Sequence, residues 1–199
     1  MRATDDRYAG EQARFHLAMR LIGHQARTHV INFCTGFSQD RIRKIYNTYF
    51  KHHATEPVRR HRGKSPSSAE FFLRNPWTQA EATVLTHLFA AWGLLRIQPD
   101  LATTAVTVGD RLRFGQRLCH AYEEFRAAHP ASGISFEHAW SLLGALTERD
   151  ELVLLDCKRC ESLYVQDALA LDGRRCPTCR VSPRVRARPG RARLQSQGA

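Results

Sequence analysis

Two short motifs near the C-terminal end, Cys157-Lys-Arg-Cys160 and Cys176-Pro-Thr-Cys179, constrain this chain more than any other feature. A C-x-x-C turn presents two sulfurs to one point, and two such turns at this separation close a tetrahedron around a single Zn²⁺. With four thiolates bound, no coordination position is left for water or substrate, so the metal expected here is structural and not catalytic. The flanking residues agree. The apolar run Leu152-Val153-Leu154-Leu155 leads into the first pair, Leu163-Tyr164-Val165 follows it, and Asp172-Gly173 supplies a turn before the second. The spacing predicts a small four-cysteine zinc ribbon over residues 151–182. The competing reading, two disulfides or four buried thiols, is disfavoured by the spacing and by the lack of a secretory leader.

At 199 residues with 43% hydrophobic side chains, the chain has room for one medium domain plus this appendage and enough apolar mass to bury a core. It holds no apolar run of membrane-spanning length, and Met1-Arg-Ala-Thr-Asp-Asp-Arg lacks the apolar centre of a signal peptide. A soluble protein of a reducing, cytoplasmic compartment is the expectation, with no membrane and no small-molecule substrate among its partners. Cys34 and Cys119 stand alone in apolar helical patterns, where a thiol behaves as a small hydrophobe.

A formal net charge of +11 points to a polyanionic partner. Its distribution is informative. One cluster runs through Arg41, Arg43, Lys44, Lys51, Arg59, Arg60, Arg62 and Lys64, interrupted only by Glu56. A second begins at Arg174 and Arg175 and continues through Arg180, Arg184, Arg186, Arg188, Arg191 and Arg193 without an acid. Both have the composition to follow phosphates. Lys158, Arg159, Arg174, Arg175 and Arg180 also suit a second task, neutralising the negative charge of a four-thiolate zinc centre. The plain alternative for any single cation is a solvated surface charge.

The rest of the chain reads as helical. Phe15, Ala18, Met19, Leu21 and Ile22 recur at helical spacing and predict a helix over residues 10–27. Ile42, Ile45, Tyr46 and Tyr49 mark another, which Ser38 can cap after a left-handed turn at Gly36. Residues 51–65 lose periodicity and read as a basic loop. Beyond it, Ser67-Ser68-Ala69-Glu70 and Thr78-Gln79-Ala80-Glu81 both have capping-box form, and Asn75-Pro76 places proline at a first helical position. Leu85, Leu88, Phe89, Trp92 and Leu95 predict a core-facing helix. Further helices are expected over residues 101–128 and 136–146, making the body entirely helical. The domain division that follows is a helical unit for nucleic acid and partner over 1–150, the ribbon over 151–182, and an Arg-rich tail over 183–199 that is expected to be disordered until bound.

Residues 28–47 fit a degenerate helix-turn-helix, in which one helix braces a second that enters the DNA major groove. With Gly36 at the turn, apolar residues are required at Ile31, Phe37, Ile42 and Ile45, and all are present. Asn32 and Thr35 depart from the pattern, which prefers a small and an apolar residue there. The outward face of the second helix would show Gln39, Asp40, Arg41, Arg43, Lys44 and Asn47, types that suit base edges and phosphates. The alternative is an ordinary helical hairpin with a solvated face.

Signals of catalysis are missing. Gly63-Lys64-Ser65 resembles the end of a phosphate-binding loop, but Val58 stands where the first glycine is needed and Pro66 follows. The pair His52-His53 has no H-E-x-x-H context. Glu123-Glu124 and Glu148, Asp150 and Glu151 read as exposed acids near helix ends. No enzymatic activity is expected.

The order of features, together with Phe37-Ser-Gln-Asp-Arg-Ile-Arg-Lys-Ile-Tyr46, Ser68-Ala-Glu-Phe-Phe72 and the cysteine quartet, resembles the flagellar transcriptional activator FlhC family over residues 13–180. The resemblance implies a cytoplasmic bacterial DNA-binding activator that assembles with an FlhD-type protein into a heterohexamer at promoters of flagellar genes, with RNA polymerase a further candidate partner. It also implies zinc ligands at Cys157, Cys160, Cys176 and Cys179. The residues expected on double-stranded DNA are Gln39, Arg41, Arg43, Lys44, Asn47 and Lys51, then Arg59, Arg60, Arg62 and Lys64 on the backbone, and Lys158, Arg159, Arg174 and Arg175 from the ribbon. Two other classes share the charge and the metal: a zinc-ribbon RNA-binding factor and a thiol-zinc redox-sensing interaction protein.

Overall fold

The computed structural model describes residues 3–51, 58–61, 63, 66, 68–106, 109–148, 151–170 and 175–182. The chain is mainly helical, and two antiparallel hairpins complete the described residues. Helix α1 (Ala3–Gly23) begins before the expected Gly10 and stops short of Arg27. Its end is set locally: Gln25 takes a left-handed φ of 60°, its N–H donates to Ile22 O, and the N–H of Ala26 donates to Leu21 O. These two bonds occupy carbonyls that a helix end otherwise leaves open.

Helices α2 (Thr28–Thr35) and α3 (Gln39–Tyr49) form the expected pair. Gly36 lies at φ 72°, and the Ser38 hydroxyl accepts from Arg41 N at 3.3 Å to start α3. Ile31, Phe37, Ile42 and Ile45 are all buried. The two residues that break the usual pattern support the turn instead of weakening it. Thr35 Oγ1 donates to Ile31 O at 2.7 Å and accepts from Phe37 N at 3.2 Å, while Asn32 Nδ2 donates to Phe37 O at 2.7 Å. Their polar atoms supply hydrogen bonds to a segment whose backbone has left the helical ladder.

After the short helix α4 (Glu70–Leu73), helix α5 (Pro76–Ala91) runs through the centre of the fold against α6 (Arg111–Ala128) and α7 (Phe136–Thr147). Asn75 Oδ1 accepts from Thr78 N at 2.9 Å with Pro76 at the first position, as expected. The Thr78 capping box is corrected: Thr78 lies inside α5, because the Asn75-Pro76 start caps the helix three residues earlier. The Ser67 box rests on a residue outside the described ones; Ala69 precedes α4 in helical conformation with no side-chain cap. Phe72, Leu85, Phe89, Leu118, Phe125 and Phe136 fill the core.

The body is not entirely helical. Residues 101–106, read as the start of a helix, instead belong to a hairpin of β1 (Leu95–Ile97) and β2 (Thr103–Ala105), and α6 begins only at Arg111, capped by Asp110. Leu101 adopts φ 68°, Asp100 Oδ1 accepts from Ala102 N at 3.0 Å, and Thr103 Oγ1 donates to the terminal carbonyl region of α7 at Leu146 O. An Asx turn followed by β-branched threonines outweighs an apolar spacing that looked helical.

The ribbon is β3 (Leu152–Asp156) paired antiparallel with β4 (Leu163–Asp167), then the one-turn helix α8 (Pro177–Val181). Leu152, Leu154 and Val165 join the main core, while Tyr164 packs with Cys157, Cys176 and Cys179 in a second, smaller cluster. Asp172-Gly173, His52-His53, Ser67, Arg62, Lys64, Arg174 and the tail over 183–199 lie outside the described residues. Among the described residues no helix is long and apolar enough to cross a membrane.

Candidate metal centre and basic face

The first cysteine pair sits on the turn between β3 and β4, and the second at the start of α8, where Cys176 is the N-cap. Hairpin pairing places Asp156 opposite Leu163, so the intervening loop must fold tightly; Glu161 takes φ 60° there and its N–H returns to Cys157 O at 2.8 Å. The four sulfurs lie within 4.8 Å of one another, with Cys160 and Cys176 at 3.6 Å. A tetrahedron with Zn–S of ~2.3 Å sets its sulfurs ~3.8 Å apart, whereas a disulfide needs ~2.05 Å. The six cysteines are unbridged, and this quartet has the geometry of a metal shell.

Backbone amides turn toward the sulfurs. Cys176 N donates to Cys157 Sγ at 3.3 Å and Cys179 N to Cys176 Sγ at 3.4 Å. Burial raises the Cys157 thiol, but the amides of Cys176, Arg159 and Cys160 outweigh it and bring it down to about 6. The Ser162 hydroxyl and amide lower Cys160. Burial pushes Cys176 up and, with the neighbouring sulfurs, pushes Cys179 up to about 12. Two sulfurs are thus held below the ordinary thiol value and two above it, the latter by burial first and by the neighbouring sulfurs second. A dication at their centre would favour the thiolate form of all four, so this donor set fits Zn²⁺ and similar soft or borderline metals. Lys158 and Arg175 are exposed; Arg159 is half-buried and donates across the knuckles to Cys179 O and Ser182 O, both at 3.5 Å. Cys34 and Cys119 are different: burial pushes each up to about 12, and they pack as hydrophobes between helices, as expected.

On α3, Gln39, Arg43, Lys44 and Asn47 are exposed. Arg43, Asn47, Lys51, Arg59 and Arg60 line one open concavity of about 640 Å³ with Tyr46 and Val58. Segment 58–60 is held to the helices by Tyr46, whose hydroxyl donates to Val58 O at 2.9 Å, and by Arg60, whose guanidinium donates to Thr28 Oγ1 at 2.9 Å and lies 5.1 Å from the Tyr46 ring. Arg41 points elsewhere. It pairs with Glu11 of α1 and lies 3.9 Å over the Phe37 ring, bracing α3 against its neighbours. The ribbon's cations stand on a different support, since α3 packs on α1 and α2 while β4 and α8 pack on α5.

Several residues of consequence were not visible in the sequence. Glu123, read as an exposed acid, is half-buried and accepts from Arg20 Nε at 2.6 Å and from His24 Nε2 at 2.6 Å. The Arg20 guanidinium holds its carboxyl down at about 2. Glu137, 4% exposed, receives Arg27 N at 2.6 Å where α2 begins. Neither has a local signal, because each partner is about a hundred residues away in the chain.

No curated protein matches the chain. The family described as Flagellar transcriptional activator (FlhC) does, over residues 6–193, which is nearly the whole chain and takes in both the α2–α3 pair and the cysteine quartet. With a helical body carrying an exposed basic helix and a metal-ready ribbon at its end, the chain belongs to the FlhC family of flagellar transcriptional activators, a family of transcription factors and not of enzymes.

Proposed function

We propose that this chain is a cytoplasmic DNA-binding activator subunit that acts with an FlhD-type partner in a heterohexamer at promoters of motility genes, with one structural Zn²⁺ and with RNA polymerase as a further contact. The observation that carries the reading is the concavity beside α3, where Arg43, Asn47, Lys51, Arg59 and Arg60 converge. Four cations and an amide lining one groove suit a phosphate backbone with a base edge beside it. Gln39, Lys44 and Asn47 choose bases; Arg43, Lys51, Arg59 and Arg60, with Arg62 and Lys64, neutralise phosphates; Arg41 fixes the angle of α3 through Glu11. Lys158, Arg159, Arg174 and Arg175 reach the duplex or the partner at an angle that the zinc ribbon holds.

The test is binding to sequenced genomic fragments as a function of salt. Arg59→Ala is expected to weaken all duplexes alike and to reduce the slope of log affinity against log salt by about 1, while Asn47→Ala costs about 1–3 kcal/mol and relaxes sequence preference. Cys160→Ser is expected to lose zinc with DNA affinity falling in step. Single-stranded RNA displacing the duplex, or equal affinity for every duplex, overturns the reading.

A further inference from the structure

Strand β4 has β3 on one side only, so its other edge needs partners. They come from side chains of α5. Gln79 Nε2 donates to Val165 O at 2.8 Å and to Gln166 Oε1 at 3.1 Å, and Thr83 Oγ1 accepts from Val165 N at 3.0 Å while donating to Gln79 O at 2.8 Å. The remaining polar atom of the Gln79 amide, Oε1, accepts from Arg180 Nη2, and Arg180 directly follows the zinc-ligand candidate Cys179. Gln79 is 2% exposed, with both ends of its amide engaged. Its orientation is unambiguous: a carbonyl can only accept and a guanidinium can only donate.

One buried amide on the central helix therefore grips both halves of the ribbon, the hairpin that carries the first cysteine pair and the helix that carries the second. We propose that Gln79, with Thr83 and Arg180, is a latch that positions the two knuckles for metal and makes metal occupancy and the packing of α5 a single thermodynamic unit. When the knuckles part, Arg180 leaves with the second, and Gln79 Oε1 is left without a partner in a dry site. When the latch is cut, the metal must hold the knuckles together with only the Arg159 bonds and the Tyr164 packing to help it. The same α5 packs against α6 and α7, so the state of the metal reaches the helical body. The proposal rests on the reading of the quartet as a metal site.

The experiment measures zinc retention of the full chain against a chromogenic chelator, together with the thiolate charge-transfer spectrum of the cobalt-substituted protein. The probes are the wild type, Gln79→Leu, Thr83→Val and Arg180→Lys. Gln79→Leu keeps the volume and removes the grip, and is expected to hold zinc about tenfold less tightly, the size seen when groups that orient metal ligands are lost. Arg180→Lys keeps a cation beside the thiolates on an exposed residue, so it leaves the fold intact; a several-fold loss with this variant separates the directed contact from charge alone. Hydrogen exchange across α5 is expected to quicken when zinc is withdrawn from the wild type. A folded wild type with no affinity for zinc overturns the metal reading and the latch together. A wild type that binds zinc, with Arg180→Lys and Thr83→Val binding it equally well and α5 exchange indifferent to the metal, overturns the latch alone.

Discussion

The ribbon and the α2–α3 pair are both short pieces packed against the helical body, yet they are specified in opposite ways. The ribbon depends on the identity of four residues: replace one sulfur and the geometry has no substitute. The helix pair depends on a pattern, with Ile31, Phe37, Ile42 and Ile45 buried against the body and caps at Gly36 and Ser38, and it tolerates Asn32 and Thr35 where other residues are usual. Metal chemistry is discrete and hydrophobic burial is graded. The first gives a sharp signal in sequence and an all-or-none response to mutation; the second gives a blurred signal and a proportionate response.

The largest expected effect comes from Cys157→Ser. Zinc binding in small structural sites contributes about 10 kcal/mol or more at neutral pH, so loss of a buried ligand is expected to abolish stoichiometric zinc and the ribbon's structure, read by metal analysis and by amide exchange in β3 and β4. Retention of one zinc per chain would erase the contrast between the two regions. Next is Gly115→Ala on α6, behind the helix pair. A Cβ there would meet Leu17 Cδ2 at 2.7 Å and Cys34 Cβ at 2.8 Å, so Leu17 must turn aside and α2 must draw back from α6, at a cost of about 1–3 kcal/mol. Thermal melting checks it, and zinc content should not change.

Ser38→Ala removes the cap of α3 and is expected to cost about 1 kcal/mol, with fraying of the first turn of α3 visible by hydrogen exchange. The smallest effect is on acidification. Glu123 sits lower in the folded chain than unfolded, so its contribution is complete above its ordinary value of 4.5 and is lost as pH falls toward about 2. Solvent screening of this partly exposed pair leaves about 1 kcal/mol or less. Glu123→Gln should flatten that part of the stability profile. Zinc release on acidification follows thiolate protonation instead and should be unaffected by Glu123→Gln.

Much of the site was legible in the linear chain because its determinants are local. The cysteine spacings, the apolar run before them, the left-handed Gly36 and the Asn75-Pro76 start each act within a few residues. The β1–β2 hairpin was missed because Leu101 continued a helical spacing that the Asx turn at Asp100, the β-branched threonines and the bond from Thr103 to Leu146 outweigh. Arg41, expected on DNA, also pairs with Glu11 of α1, a contact that no local spacing announces.

By itself, then, the order of residues determined a mainly helical body, an excess of positive charge in two clusters, and four cysteines spaced so that they could hold a metal, since composition and short spacings act before any folding. Tertiary structure alone decided which cations share a groove, that Glu123 is drawn into an ion pair with α1, and that Gln79 holds the ribbon to the body. Each of those joins residues far apart in the chain, and only packing of the core brings them within hydrogen-bonding distance.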